Sequence, residues 1–499
     1  MRWFNVLSKY EKMQLEINKL IENYQKKKFK LVIKQALLIL KRDPKQLLSR
    51  KILGSAYEQT GFIYKALKTN KEVVRLSPED PEGFNNLGII FHKLKNYYEA
   101  EYNFKQALKI KEDFDGALYN LGNVLKETGK LKEAEEIFIK CIKLNPNFSN
   151  AYVNLSNTQR EIGKFSQAEN TLLKCIEHNP DFIEAHYNLG NLFKELNKLD
   201  ESENSYNKAL NLNPSFKLAL LGRGQILFTK KKFEQALIDF DSCNTSQSRE
   251  RSLVTLYKLG RIDEIFQRIK KNSKLDEKNL RIAAFSSFIS HKEKKDTKNN
   301  FCKDPLEFLY FSNLSSHLKN SNKFIGDLID ELKYIDASWE PSNKTTVKGF
   351  QSTKNLFKDP AGKIKDVQKI IINELQKYNL KFKNKSCLFI KQWPHKKNLF
   401  GWYVILKKQG FQDPHIHPSG WLSGVIYLKT VPSLKKNEGA IEFSLNAKNY
   451  SDSKSPKIIY QPMKGDIVFF PSTLHHRTIP FTTDTDRIIV SFDLLPIIE

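Results

Sequence analysis

The stretch LGIIFHKLKNYYEAEYNFKQALKIKEDFDGALYNLG, residues 87–122, begins and ends on the same dipeptide, and that interval recurs along the first half of the chain. Leu-Gly stands at Leu53-Gly54, Leu87-Gly88, Leu121-Gly122 and Leu189-Gly190, and Leu155-Ser156 fills the remaining place, so the step is 34 residues each time. Thirteen residues beyond each leucine stand Ala66, Ala100, Ala134, Ala168 and Ser202, and Gly224 and Ala236 continue the phase. Small residues at a fixed period mark places where two helices touch. Pro78, Pro146, Pro180 and Pro214 fall 25 residues after their leucines, where proline closes the second helix of each unit.

This pattern resembles the tetratricopeptide repeat. The resemblance covers about residues 45–245, with weaker helical hairpins before it (KLIENYQKKKFKLVIKQALLIL) and after it (RSLVTLYKLGRIDEIFQRIKK). One helical pair cannot bury its apolar stripe alone, so stacked pairs form a superhelix with a concave groove. The resemblance implies that a peptide or partner protein binds there. Cys141, Cys175 and Cys243 keep the phase at a position where Ala107 and Ala209 stand, which reads as packing. Asn86, Asn120, Asn154 and Asn188 each precede the repeat leucine. They are either a ladder facing the groove or exposed polar positions.

At 499 residues the chain exceeds what one core serves, so two or three domains are expected. Five cysteines with no C-x-x-C pair argue against a disulfide framework or a zinc ribbon. The N-terminal MRWFNVLSKYEKMQLEINKL has no signal-peptide core, and no run of about 18 apolar residues occurs, so no membrane insertion and a cytoplasmic location are expected. The net charge of +26 comes from diffuse lysines rather than one basic face. A solvated surface accounts for that pattern, and nucleic acid is not an expected partner.

Residues 276–376 read as helical without the repeat (NLRIAAFSSFIS, DPLEFLYFSNLSSHL, FIGDLIDELKYI), interrupted by the turn-rich WEPSNKTTVKGFQSTKNLF. KIKDVQKIIINELQKYN places Ile364, Val367, Ile371 and Leu375 on one helix face, suited to packing across a sheet. The run KEKKDTKNN, 292–300, reads as a flexible linker.

Beyond residue 381 the period becomes strand-like: CLFIKQW, GWYVILK, LSGVIYLKT, GAIEFSL, KIIYQPM, DIVFFP and RIIVSFDLL. Short β-branched and aromatic runs between Gly, Pro, Asn and Asp predict a compact antiparallel sandwich or barrel. Five of the ten histidines lie here: His395, His415, His417, His475 and His476. In PHIHPSGWLSGVIYL, His415 and His417 are two apart, so on a strand both imidazoles point to one face and can converge on one ion. A third ligand can come from a distant strand.

The two segments PHIHPSGWLSGVIYL and GDIVFFPSTLHHRTIPF, followed by Arg487, resemble those of iron(II)/2-oxoglutarate oxygenases of the double-stranded β-helix superfamily. The resemblance implies a metal site of His415, His417 and His476, with His475 as a packing neighbour. It also implies Arg487 as the grip on the distal carboxylate of 2-oxoglutarate. Ser491 shares a strand face with Arg487, and Tyr427 and Ser423 share a face of LSGVIYL; each could line the co-substrate pocket or simply fill the barrel. Most of that superfamily has His-x-Asp or His-x-Glu at the near pair. Here it is His-x-His, so His417 or a water completes the site, with Asp413 the weaker substitute. Trp402 and Trp421 read as core or pocket walls, Asp466 as a turn residue and His395 as exposed.

The expected architecture is multidomain α + β: a repeat superhelix over 1–270, a helical extension and linker over 271–380, and a double-stranded β-helix (jelly-roll) over 381–499. The resemblance implies Fe(II) as cofactor, 2-oxoglutarate and O2 as co-substrates, and hydroxylation of a peptide, protein or metabolite recruited by the repeat groove. The competing class is a repeat scaffold with a non-catalytic metal- or ligand-binding barrel. A cupin isomerase or a dioxygenase without 2-oxoglutarate is disfavoured by Arg487. Protein O-glycosyltransferases carry similar repeats, but this chain offers no pair of Rossmann units for a nucleotide sugar.

Overall fold

A computed structural model describes residues 9–341, 344–432 and 435–497, with the side chains of residues 9 and 10 excepted. The first eight residues of the N-terminal segment therefore lie outside the described residues, as do two positions of WEPSNKTTVKGFQSTKNLF. The chain divides into two compact units, Met1–Ile226 and Leu227–Glu499.

In the first unit the 34-residue period becomes geometry. The first helices of successive repeats are Leu47–Gln59, Pro81–Lys93, Asp115–Glu127, Ser149–Ile162 and Ile183–Glu195, and their partners run from Ile63–Leu76 to Leu199–Leu212. The glycine of each Leu-Gly lies against a large ring of the partner helix. A Cβ on Gly88 would stand 2.6 Å from Phe104, one on Gly122 2.6 Å from Phe138, and one on Gly190 2.7 Å from Tyr206. Where serine replaces that glycine, at Ser156, the facing residue is Leu172 and the Ser156 hydroxyl donates to the Ala168 carbonyl (3.1 Å). Cys141 and Cys175 are buried at the helix contacts, and burial pushes their thiols up to about 12 and about 11, which leaves them inert.

Two of the repeat asparagines link successive helices. The Asn120 amide donates to Asn85 (3.0 Å), and that of Asn154 to Asn123 (2.7 Å) and the Tyr119 hydroxyl (3.1 Å). Asn188 instead donates to Glu184 within its own helix (2.7 Å). Ion pairs follow the same period, from Lys93–Glu58 through Lys126–Glu161 to Arg160–Glu195.

The second unit opens with helices Phe233–Cys243, Ser246–Lys258, Ile262–Lys271 and Leu280–Glu293. The compact units therefore divide earlier than the expected boundary at 270. Leu253, Leu256, Ile265, Phe285 and Phe288 share one apolar cluster with the sheet residues Val404, Val425, Phe443 and Ile489, which is why these helices belong with the sheet. Tyr450 seals the joint, its ring 5.0 Å from Phe285 and 4.7 Å from Phe288.

The sheet has ten strands: β1 (Tyr310–Asn313), β2 (Ala337–Trp339), β3 (Thr346–Ser352), β4 (Lys397–His415), β5 (Leu422–Lys429), β6 (Ile441–Ser444), β7 (Lys457–Tyr460), β8 (Asp466–Pro471), β9 (His475–Thr478) and β10 (Arg487–Pro496). The path is β1-β8-β5-β10-β4-β9-β6-β7, with β3 joining β2 to β4. Strand β4 makes the curl. Residues 397–406 pair with β10, a bulge with Gln409 at φ 59° follows, and Gln412 and His415 pair with β9. All the pairings are antiparallel, and the curled sheet is a jelly-roll.

Alternation along β10 separates two environments. Ile488, Val490, Phe492 and Leu494 join a cluster with the helices Ser321–Leu332 and Gly362–Phe382, while Arg487, Ile489, Ser491 and Asp493 have the opposite parity and point inward.

Three expectations are corrected. CLFIKQW is not a strand: Leu388–Lys391 is one helical turn that buries Phe389 and Ile390, Phe389 packing between Phe301, Phe308 and Trp421. DPLEFLYFSNLSSHL and the turn-rich segment after it contribute β1, β2 and β3, whose pairing with β8 and β4 outweighs local preference. KEKKDTKNN is not a free linker. Thr297 and Asn299 are buried, and the Asn300 carbonyl accepts from the Leu388 N–H (3.0 Å). Among the described residues no helix is long and apolar enough to cross a membrane.

Candidate metal centre

His415 and His417 sit at the end of β4 and just beyond it, and His476 lies opposite His415 in the β4–β9 register. One ligand atom from each of His415, His417 and His476 falls within 4.8 Å of the others. Ring centroids are 4.3 Å apart for His415–His476, 4.9 Å for His417–His476 and 5.1 Å for His415–His417.

Hydrogen bonding explains how the rings are held. His415 Nδ1–H donates to the Asp413 carbonyl (2.7 Å), and His476 Nδ1–H to the Leu474 carbonyl (3.2 Å). His417 Nδ1 lies 2.6 Å from Asp493 Oδ1. With each Nδ1 proton so engaged, the Nε2 lone pairs are free, the tautomer a metal-binding imidazole needs. Burial also keeps the His415 and His476 rings neutral. It lowers His415 to about 3 and His476 well below the usual range, the other imidazoles adding to both shifts. His475 points away, 3.5 Å from the Tyr450 hydroxyl, and burial lowers it to about 3.

Arg487 lies on the same inner face, fully buried, with its guanidinium carbon 5.0 Å over the Tyr427 ring. Among the described residues, its Nε and Nη1 and the Tyr427 hydroxyl have no hydrogen-bond partner. Burial pulls the Arg487 pKa down and pushes Tyr427 up to about 12. A buried guanidinium without a counter-charge is costly. Tyr427, Ser491, Arg487 and the three imidazoles line a common cavity of about 20 Å³. A wider mouth of about 470 Å³, walled by Phe400, Trp402, Gln412 and Gln351, opens onto His415 and His417.

The other candidates have structural duties. The Asp466 carboxylate is buried, accepting from Asn313 (2.9 Å), the Tyr460 hydroxyl (2.7 Å) and the Met463 N–H (2.6 Å). Trp421 is core, its indole donating to the Phe389 carbonyl (2.9 Å), and His395 is exposed. Asp413 meets His415 through its carbonyl and is not in the cluster of metal-ligating groups. Sequence reasoning missed Asp493 and Ser472, although an aspartate inside the apolar strand RIIVSFDLL, two residues from Ser491, was a readable signal.

Residues 401–493 match the family described as "Putative 2OG-Fe(II) oxygenase". Residues 81–114, 116–148 and 183–216 match one tetratricopeptide-repeat family and 137–170 another. No curated protein matches the sequence. Among solved structures the chain is similar to MamA from Desulfovibrio magneticus (22% identity, 35% of this chain and 97% of that one, TM-score 0.32). It is also similar to YrrB, titled a TPR protein with an unusual peptide-binding site (19% identity, 37% and 95%, TM-score 0.32). A third is a tetratricopeptide repeat protein from Parabacteroides merdae (16% identity, 49% and 98%, TM-score 0.41). The chain thus carries tetratricopeptide repeats in its N-terminal part and, over residues 401–493, a domain matching the family described as "Putative 2OG-Fe(II) oxygenase".

Proposed function

We propose that the C-terminal domain is an iron(II)- and 2-oxoglutarate-dependent oxygenase of hydroxylase type, acting on a peptide, protein or metabolite recruited by the repeats. The observation that carries this reading is the pairing, on one inner face, of three converging imidazoles with a buried arginine whose Nε and Nη1 have no hydrogen-bond partner among the described residues. His415, His417 and His476 would hold the iron. Arg487 would bind the distal carboxylate of 2-oxoglutarate through its fork, with Tyr427 and Ser491 as further donors. Bound there, iron and 2-oxoglutarate supply dioxygen activation coupled to decarboxylation.

The protein's own residues then do three things. Arg487 and Tyr427 compensate the diacid's charge in a dry site, where charge-assisted hydrogen bonds are strongest. The Phe400–Trp402 wall and the amides of Gln351 and Gln412 orient the substrate at the mouth. The apolar residues Val425, Ile441, Phe470 and Ile489 exclude water from the interior. Because the space beside Arg487 is about 20 Å³, roughly one water, a five-carbon diacid enters only when half-buried side chains such as Trp402 and Gln412 turn outward. Closure over the bound diacid would follow.

The division 1–270, 271–380 and 381–499 is kept as a functional proposal in coarser form: the tetratricopeptide repeats recruit, and the sheet, with the helices and strands that precede residue 381 packed on it, carries the chemistry. A cytoplasmic location suits free thiols and ferrous iron. The test is anaerobic addition of iron(II) and then 2-oxoglutarate, watching for the weak visible charge-transfer band of the chelate. Arg487→Ala should weaken 2-oxoglutarate about 100-fold, the equivalent of about 3 kcal/mol for a lost charge-assisted bond, while iron still binds. No band in the unaltered protein despite bound iron would favour the scaffold reading.

A further inference from the structure

The three candidate ligands are imidazoles, and none of them brings a negative charge to offset a divalent ion. The nearest buried carboxylate stands one hydrogen bond further out. Asp493 Oδ1 is 2.6 Å from His417 Nδ1 and accepts from the Ser423 hydroxyl at 2.7 Å, and Ser423 Oγ is 2.7 Å from Ser472 Oγ. All three residues are buried, and Ser423 lies directly opposite Asp493 in the β5–β10 register. Backbone bonds hold the histidine itself: His417 N–H donates to the Ser472 carbonyl (3.0 Å) and its own carbonyl accepts from the Gly420 N–H (3.0 Å). Gly420 has no room for a side chain, because a Cβ there would stand 2.7 Å from Ser472 Oγ and 3.1 Å from the Asp493 carboxyl carbon.

His415 and His476 differ from this arrangement, since each gives its Nδ1 proton to a neutral backbone carbonyl. A carboxylate behind an imidazole fixes the ring and raises the basicity of the free nitrogen. We infer that Asp493, clasped by Ser423 and Ser472, is a positioning residue that makes His417 the anionic-type ligand of the centre, in place of a directly bound carboxylate. This rests on the metal-centre reading above. It also requires His417 to be a ligand, against the alternative that a water takes its place.

The proton would stay on Nδ1, shared toward Asp493, and the Nε2 pair would go to the metal, so no proton is released on binding. Asparagine at 493 keeps a hydrogen-bond acceptor and the volume but loses the charge. The side-chain alternation along RIIVSFDLL brings Arg487, Ser491 and Asp493 to one face, so a single strand would carry both the co-substrate grip and the charge behind the metal ligand.

The experiment is an anaerobic cobalt(II) titration of the full-length apoprotein, read by the visible ligand-field spectrum and by the cobalt-induced rise in melting temperature. For Asp493→Asn the expected result is about 10- to 100-fold weaker cobalt binding and a shifted spectrum, with Asp493→Glu recovering part of both. Ser423→Ala, which keeps the charge but removes its clasp, should weaken cobalt several-fold and stands in if Asp493→Asn does not fold. Unchanged affinity and spectrum in both Asp493→Asn and Ser423→Ala would overturn the inference while leaving the oxygenase reading standing. Tight cobalt binding by His417→Ala would overturn it too. Failure of the unaltered protein to take up cobalt or iron would remove the metal-centre reading itself.

Discussion

The repeats and the inner face of the sheet solve opposite problems. In the repeats the same contact is made again and again, a glycine under an aromatic ring at Gly88–Phe104, Gly122–Phe138 and Gly190–Tyr206, so no single copy decides the fold. On the inner face each contact is made once: one arginine, one aspartate behind one histidine, three imidazoles from two strands. Buried polar groups show the same contrast. Glu135 in the repeats is answered by Lys164 (2.7 Å), whereas two buried nitrogens of Arg487 have no hydrogen-bond partner among the described residues. Redundancy belongs to scaffolding, and an unanswered buried charge belongs to a site that expects a ligand.

The largest effect that contrast predicts is at His476. His476→Ala should lower iron(II) or cobalt(II) affinity more than about 100-fold, beyond what loss of a group behind a ligand produces. The melting of the repeats, followed separately by limited proteolysis, should not change. Stoichiometric metal in the variant would break the comparison, because the site would then be as redundant as the solenoid.

Protons should discriminate the two regions next. His475 is buried and neutral with its pKa lowered to about 3, against about 6.5 in an unfolded chain. The unfolded state therefore binds more protons below pH 6.5. The stabilisation is fully present above that value and is lost as pH falls toward 3. At pH 5 this one histidine costs about 2 kcal/mol, roughly 30-fold in the folding equilibrium. His415 and His476 shift in the same direction. Thermal unfolding of the apoprotein from pH 7 to 5 should show the jelly-roll transition falling faster than the repeat transition, and parallel declines would count against neutral buried imidazoles.

How much of this could be read from the sequence follows the same division. The repeat was legible because spacing is itself the signal: Leu-Gly, the small residue thirteen on and the proline place every helix without knowledge of a distant partner. The strands LSGVIYLKT, DIVFFP and RIIVSFDLL were legible as short β-branched and aromatic runs between turn formers, and alternation along them gave the shared faces of Tyr427 with Ser423 and Arg487 with Ser491. CLFIKQW was not, because one helical turn and a short strand look alike over so brief an apolar run. β1 and β3 were hidden because their pairing partners, β8 and β4, lie far along the chain. Asp493 escaped notice since its meaning depends on His417, which is 76 residues away and reaches it only when β4 and β10 are paired.

Within the repeats, Gly122→Val sharpens the comparison from the other side. The added side chain must displace Phe138, and overpacking of that kind costs about 1–3 kcal/mol. Because neighbouring repeats make equivalent contacts, the loss should spread as a lowered repeat transition, with iron and 2-oxoglutarate binding unaltered. A loss of metal affinity in this variant would contradict the division of labour.

The smallest effect expected is at Asn154, whose amide joins Tyr119 and Asn123 of the preceding repeat. The side chain is only half-buried, so water replaces part of what Asn154→Ala removes, and the net cost is about 1 kcal/mol. In a unit of this size that is about 2–4 °C in melting temperature. The same substitution separates the two readings of the asparagine series. If these amides serve only to tie repeat to repeat, Asn154→Ala and Asn120→Ala should lower the melting point while a peptide captured by the repeats binds as before. If they face the groove as a ladder for an extended backbone, peptide affinity should fall severalfold at a stability cost no larger, and Asn188→Ala, whose amide bonds only within its own helix, should then weaken the peptide without moving the melting point.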